Sequence, residues 1–189
     1  MKFKKFFIYS FYRFFDHRLK EESKKKLDIF LSDKLVRGTI LLADEGINGT
    51  ISGSKKDLDK IILFIRKTLR IRKLNIKINQ NSFLPFNRIK VRLKKEIVSL
   101  GKGYLDVKIN NANLINPEDW NSIIEDKNTL LIDVRNQFEI DIGKFKNALN
   151  PRTKSFRDFP KQVKKMKLKK DKKIAIYCTG GIRCEKASV

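Results

Sequence analysis

The chain has 189 residues, with 44 Lys or Arg against 21 Asp or Glu, and carries a formal net charge of +23. A hydrophobic fraction of 41% argues against intrinsic disorder, and no segment has the apolar length of a membrane span. Two cysteines and one histidine exclude a disulfide scaffold and a zinc site built from this chain. The charge favours a polyanionic partner such as nucleic acid, with a solvated basic surface or a compositional bias as the competing interpretation.

The first hundred residues predict a domain of alternating strands and helices. Aromatic and β-branched residues favour strands at Phe6–Phe14 and Leu35–Ala43, and a further strand is predicted at Asn75–Asn79. Between the first two strands, helix formers with apolar residues at helical spacing predict a helix over Leu19–Leu31. The apolar N-terminus faintly resembles a secretion signal, but Arg13 interrupts it and no cleavage site follows.

The stretch DEGINGTISG predicts a hairpin followed by a second helix. Asp44, Gly46, Asn48 and Gly49 are turn residues, and Thr50–Ser52 can pair as the returning strand. Ser54 then has the spacing of a helix N-cap, with Asp57 as its acidic partner. The helix behind it carries an apolar stripe made of Leu58, Ile61, Ile62, Ile65 and Leu69. The resulting order, βαββαβ, predicts a ferredoxin-like domain over residues 1–100.

A basic segment, FNRIKVRLKKEIVSLGKG, follows this domain's last predicted strand. Its cations alternate with apolar residues, which on a strand places them on one exposed face: Arg88, Lys90, Arg92, Lys94 and Lys95. They are candidate contacts to RNA phosphates. The alternative is a solvated edge strand, where lysines discourage pairing with other chains.

After a linker at 101–115, residues 116–189 predict a second unit with a parallel α/β sheet. Asn116 is a candidate N-cap with Pro117 at the first helical position, and Thr129–Val134 is a short apolar strand. A segment that is partly helical after Pro160 leads to a second apolar strand, Ile174–Cys178. Apolar strands that alternate with helical segments are typical of parallel sheets.

The second strand leads directly into a candidate anion-binding loop, Cys-Thr-Gly-Gly-Ile-Arg. Cys178 then lies at the carboxyl end of the sheet, where open α/β sheets place their ligands. The loop members Thr179, Gly180, Gly181 and Ile182 can turn backbone N–H groups toward the sulfur, and Arg183 adds a permanent cation. Such surroundings favour a thiolate. Six loop members suit a persulfide better than a phosphate, and the alternative is a buried structural cysteine.

The motif CTGGIRCEKAS, preceded by LLIDVRNQFEIDIGKFKNALNP and SFRDFP, resembles the rhodanese domain of one family. This family is that of the bacterial tRNA uridine hydroxylases, formerly called rhodanese-like UPF0176 proteins. The upstream GTILLADEGINGTISG and FLPFNRIKVRLKKEIVSLG are similar to the N-terminal domain of the same family. The resemblance covers nearly the whole chain, and it implies a ferredoxin-like domain followed by a rhodanese-like α/β domain.

The resemblance implies oxygen-dependent conversion of the wobble uridine of tRNA to 5-hydroxyuridine. Cys178 matches the active-site cysteine, regarded as the carrier of a persulfide, and Arg183 matches the loop arginine. Three further matches are expected to support the loop rather than react: Asp133, Arg135 and Glu139. Cys184 matches a second cysteine, which either resolves an oxidised Cys178 as a disulfide or packs as a small residue under the loop.

The family continues beyond the loop with a full helix, further sheet elements and a C-terminal segment. Here only EKASV follows Cys184. We therefore expect an incomplete rhodanese-like domain, truncated after the active-site loop, whose activity by itself is in question.

No cofactor is identifiable from the sequence. One histidine does not allow a two-histidine, one-carboxylate iron site, and no dinucleotide-binding fingerprint is present, while a flavin site without a local signature stays open. The resemblance implies molecular oxygen as co-substrate and the anticodon region of tRNA as partner. No protein partner is identifiable, no membrane association is expected, and a cytoplasmic location is predicted. The competing hypotheses are a sulfurtransferase that carries a persulfide on Cys178 and an inactive RNA-binding fragment.

Overall fold

The computed structural model describes residues 5–105, 107, 112–169 and 171–189. The chain separates into two compact units with the division between Ile97 and Val98. This division lies three residues before the predicted end of the first domain at residue 100. Residues 106 and 108–111 of the predicted linker lie outside the described residues.

The first unit is a ferredoxin-like domain with an additional edge strand. Its elements are β1 (Phe6–Phe14), α1 (Lys20–Leu31), β2 (Arg37–Ala43), β3 (Gly46–Gly53), α2 (Lys55–Leu69), β4 (Asn75–Asn81) and β5 (Ile89–Leu93). The strands lie in the order β4-β1-β3-β2-β5, with β5 parallel to β2 and the other pairs antiparallel. The predicted βαββαβ order is confirmed, and the basic segment supplies the fifth strand.

The core of this unit lies between one face of the sheet and the two helices. Tyr9 and Phe11 of β1 pack with Ile51 of β3, and the predicted stripe of α2 covers them. The stripe residue Ile61 is fully buried. Leu19, which the sequence placed inside the first helix, instead precedes α1 and is 60% exposed.

The predicted hairpin turn is confirmed at Asp44 and is wrong for the three residues predicted after it. Gly46, Asn48 and Gly49 belong to β3, and only Asp44 and Glu45 lie between the two strands. The glycines permit close approach to β1 rather than a turn. A Cβ on Gly46 would lie 2.1 Å from a backbone oxygen of β1, and one on Gly49 would lie 2.6 Å from the ring of Phe11.

The predicted N-cap of α2 is present in the structure. The Ser54 side chain accepts a hydrogen bond of 3.1 Å from the backbone N–H of Asp57. We expect Ser54→Ala to lower the free energy of unfolding by about 1 kcal/mol, because one N–H of the first turn loses its acceptor. Urea denaturation followed by helical circular dichroism measures this change. Ser54→Thr keeps the acceptor and is the control; equal losses in both variants would contradict the capping role.

The second unit has the mixed α/β character that the sequence predicts. Its elements are α3 (Pro117–Glu125), β6 (Thr129–Asp133), α4 (Gln137–Ile142), a 3-10 turn (Phe156–Asp158), α5 (Phe159–Lys165), β7 (Lys173–Tyr177) and α6 (Ile182–Ala187). β6 and β7 pair in parallel, and Leu149 forms a parallel bridge to Ile132 on the other side of β6. Asn116 precedes α3 as expected, although its side chain makes no capping hydrogen bond. Within the described ranges, no helix combines the length and the apolar character needed to cross a bilayer.

Candidate active site

The candidate site is the loop between β7 and α6, at the carboxyl ends of the two parallel strands. β7 ends at Tyr177, and the chain turns through Cys178, Thr179, Gly180 and Gly181 before α6 begins at Ile182. Gly181 has a φ of 91°, a backbone conformation that side chains with a Cβ rarely adopt. This turn directs the amide of Gly181 back toward the sulfur of the cysteine.

The Sγ atom of Cys178 lies among hydrogen-bond donors. The thiol of Cys184 donates to it, and the backbone N–H of Gly181 donates over 3.0 Å. The hydrogen bond from the Cys184 thiol is the main reason that the pKa of Cys178 falls to about 5. The backbone amides of Cys184, Gly180 and Gly181 lower this pKa further, whereas burial raises it. Cys178 is therefore a thiolate at neutral pH.

Cys184 is the donor in this contact, and its pKa shifts in the opposite direction. Its hydrogen bond to Cys178, together with burial and the neighbouring negative charge, raises the pKa of the Cys184 thiol far above its usual range. It packs beside a core cluster that includes Val134 and Phe156. Sequence reasoning considered Cys184 as a resolving or a packing residue and missed its role as a donor to the thiolate.

Arg183 is held in place by Glu139 of α4. Its guanidinium donates two hydrogen bonds to the carboxylate, of 2.6 and 2.7 Å, and Thr179 Oγ1 donates a third over 2.6 Å. The bonds from Arg183 are the main reason that the pKa of Glu139 falls to about 2. Glu139 is thus ionised at neutral pH and positions both ends of the loop, while Arg183 also forms a hydrogen bond with Cys178.

A second ion pair lies at the end of β6, beside the end of the strand that leads into the loop. Asp133 is fully buried and accepts two hydrogen bonds from Arg135 Nε and one of 2.7 Å from Arg135 Nη2. The hydroxyl of Tyr177 donates to the same carboxylate over 2.5 Å. Sequence reasoning missed Tyr177; its place directly before Cys178, at the end of an apolar strand, was the only available signal. The network connects the residue before the loop to the neighbouring strand.

The basic candidates for RNA contact lie in the first unit. Arg88, Lys90 and Arg92 line a cleft of about 480 Å³ between β5 and the end of α1. Lys94 and Lys95 follow β5 and are exposed. In the part of the chain that the structure describes, no group of His, Cys, Asp and Glu side chains is arranged to hold a metal ion.

Comparison with known proteins gives matches to both units. Residues 6–97 match the UPF0176 acylphosphatase like domain, and residues 116–189 match the rhodanese-like domain. The chain is 44% identical over 183 residues to a protein of Wolbachia pipientis subsp. Culex pipiens named tRNA uridine(34) hydroxylase, covering 97% of this chain and 65% of that protein. A protein of the same name from Picosynechococcus sp. is 43% identical over 186 residues, covering 98% of this chain and 62% of that protein.

The chain thus spans less than two thirds of the length of either relative. Among solved structures, an acylphosphatase from Coxiella burnetii is similar over 47% of this chain and 93% of that chain. Its TM-score is 0.32 and its sequence identity is 10%.

Proposed function

Because this chain belongs to the family that joins a UPF0176 acylphosphatase-like domain to a rhodanese-like domain, we propose that it hydroxylates the wobble uridine of tRNA. The product is 5-hydroxyuridine, and molecular oxygen is the co-substrate. The observation that carries the proposal is a stabilised thiolate at Cys178 in a chain similar to proteins named for this activity.

Cys178 is the reactive group of the proposal. A thiolate is the nucleophilic form of cysteine, and a pKa of about 5 keeps Cys178 in that form at neutral pH. The amide of Gly181 and the guanidinium of Arg183 stabilise negative charge on the sulfur, or on a second sulfur atom bound to it as a persulfide. Asp133, Arg135 and Glu139 act through the loop and are positioning residues.

The proposed partner is tRNA, contacted in its anticodon region, and the proposed location is the cytoplasm. The net charge of +23 supports a polyanionic partner. The five candidates for phosphate contact are Arg88, Lys90, Arg92, Lys94 and Lys95. These residues lie directly before, on or directly after the edge strand β5, and each is exposed or lines the cleft, which is compatible with this role.

Nucleoside mass spectrometry tests the activity. The 189-residue chain is expressed in cells that lack their own wobble-uridine hydroxylating enzymes, beside Cys178→Ala. We expect 5-hydroxyuridine in tRNA with the unchanged chain and none with the variant. Ser99→Ala, an exposed position outside the site, is the matched control and should behave like the unchanged chain. If no 5-hydroxyuridine appears while the chain is folded and abundant, the proposal fails for this chain.

A sulfurtransferase is the second candidate, favoured by the six-membered loop around an anionic sulfur. In that reaction, the Cys178 thiolate takes a sulfane sulfur from thiosulfate, releasing sulfite, and passes it to cyanide as thiocyanate. Thiocyanate release that depends on Cys178 and persists with saturating tRNA would favour this candidate. Salt-sensitive tRNA binding without either reaction would indicate an RNA-binding fragment instead.

A further inference from the structure

Cys178 and Cys184 are the two cysteines of the chain, and the fold brings their side chains into direct contact. Both are free thiols, and both are partly exposed. The thiol of Cys184 donates a hydrogen bond to Cys178 Sγ. Both side chains also pack against the same buried cluster, which includes Val134 and Phe156. Two sulfur atoms in such contact need only a small approach to reach the length of a disulfide bond.

This contact is made within one short segment of the chain. Cys178 directly follows β7, and Cys184 is the third residue of α6. The backbone N–H groups of Gly181 and Cys184 both donate to Cys178 Sγ, so Cys184 is held at this sulfur by its backbone as well as by its side chain. Because the segment between the two cysteines is short and already ordered, a covalent bond across it costs little further chain entropy.

The two sulfur atoms differ chemically, and this difference sets the order in which they react. The pKa of Cys178, lowered to about 5 mainly by the hydrogen bond from Cys184, keeps its sulfur anionic at neutral pH. The thiolate is the form of cysteine that an oxidant attacks. Cys184 keeps its proton in the same contact, because its hydrogen bond to Cys178 raises its pKa. Cys178 is therefore the sulfur that is oxidised first.

Oxidation of Cys178 removes the main influence that holds the proton on Cys184. The hydrogen bond to Cys178 is the largest cause of the raised pKa of Cys184, followed by burial and by the negative charge of Cys178. When the thiolate becomes a sulfenic acid, the bond to an anion and the charge both disappear. Arg183 continues to lower the pKa of Cys184, against burial and Asp133. Cys184 thus becomes a better nucleophile at the moment when an electrophilic sulfur stands beside it.

We propose that Cys178 and Cys184 form a redox modification site for hydroperoxides, in which Cys184 is the resolving residue. The Cys178 thiolate attacks one oxygen of hydrogen peroxide and breaks the O–O bond. With one proton from solvent, the products are the sulfenic acid and water. The Cys184 sulfur then attacks Cys178 Sγ: the S–S bond forms, the S–O bond breaks, and the hydroxyl leaves with the Cys184 proton as a second water. The peroxide gains the two electrons that the two sulfur atoms lose.

The disulfide switches the thiolate off without destroying it. Oxidation stops before the irreversible sulfinic and sulfonic acids, and an external thiol restores both cysteines. The hydrogen bonds that Glu139 accepts from Arg183 and Thr179 involve no sulfur, so the anchor of the loop is retained. Any reaction that needs the thiolate, the proposed hydroxylation included, stops while the disulfide is present.

Peptide mass spectrometry of the full chain tests the proposal, after treatment with equimolar hydrogen peroxide and blocking of the remaining thiols. Trypsin cleaves after Arg183 and so places the two cysteines in different peptides, residues 174–183 and 184–186. We expect these two peptides to be joined by a disulfide in the unchanged chain. Dithiothreitol should separate them and return both free thiols.

Cys184→Ser is the matched variant, because its hydroxyl still donates a hydrogen bond to Cys178 but cannot form the disulfide. Without a resolving thiol, the sulfenic acid of Cys178 should persist, and its labelling by dimedone should rise at least about tenfold over the unchanged chain. Excess peroxide should then convert Cys178 to the sulfinic acid in the variant, whereas the unchanged chain should stay reducible by dithiothreitol.

Equal dimedone labelling in the unchanged chain and in Cys184→Ser would overturn the proposal. Sulfinic acid on Cys178 of the unchanged chain, without the joined peptides, would also overturn it, as would a disulfide that links Cys178 of two chains. The unchanged chain alone decides the last two outcomes, so they do not depend on the folding of a variant. The assay measures no turnover, so its result is independent of whether 5-hydroxyuridine is formed.

Discussion

Glu139→Gln is expected to lower the free energy of unfolding of the second unit by about 3 kcal/mol and to reduce the proposed hydroxylation at least tenfold. The side chains of Glu139 and Arg183 are only 17% and 13% exposed, so the substitution leaves a largely buried guanidinium without its counter-ion. Three hydrogen-bond donors from the loop meet at this carboxylate. A neutral amide accepts with one oxygen only, and the loop loses its anchor.

Urea denaturation followed by the fluorescence of Trp120, the only tryptophan of the chain, measures the stability of this unit. Glu125→Gln, an exposed carboxylate at the end of α3, is the matched control and should change the unfolding free energy by less than about 0.5 kcal/mol. Equal stability in the Glu139 and Glu125 variants would refute the anchoring role.

The pH dependence of this effect follows from the pKa of Glu139. Its folded-state pKa, lowered to about 2 mainly by the bonds from Arg183, lies below the value in the unfolded chain. The stability it contributes is therefore fully present above the unfolded pKa and is lost as the pH falls toward 2. The difference between the unchanged chain and Glu139→Gln should shrink over this acidic range; a constant difference would contradict the assignment.

Cys184→Ala is expected to raise the pKa of Cys178. The thiol of Cys184 is the strongest of the donors that stabilise the thiolate, and a hydrogen bond to a charged group is worth about 1.5–3 kcal/mol. Loss of this donor should reduce the rate of alkylation by iodoacetamide at pH 5.5 roughly tenfold, because less of Cys178 is ionised there. The rates should converge at alkaline pH, where both proteins carry the thiolate.

Cys184→Ser provides the matched control for this experiment. A hydroxyl still donates a hydrogen bond, so the apparent pKa from the pH profile should stay near that of the unchanged chain. Cys184→Ala and Cys184→Ser each leave Cys178 as the only cysteine, so alkylation reports on one site. A Cys184→Ala profile that superimposes on that of the unchanged chain would mean that the loop amides and Arg183 suffice without this donor.

Local patterns in the sequence predicted most of the elements of the fold. The capping residue Ser54 and the apolar stripe of α2 act within one helix, since their spacing matches its 3.6-residue period. The loop from Cys178 to Arg183 was equally visible, because an apolar strand leads straight into its glycines. The turn at Gly46 was misplaced for a related reason. Its local residue types favour a turn, whereas the glycines serve an approach to β1 that only the paired strands create.

Tertiary structure decided which side chains meet. Glu139 and Arg183 are 44 positions apart, as are Asp133 and Tyr177, and no periodicity connects either pair. They meet because two parallel strands place their carboxyl ends side by side. The sequence by itself determined most of the helices and strands and indicated Cys178 as the candidate reactive residue, because these signals are local. The anchors of the loop depend on strand order and register, which follow from packing across the whole domain.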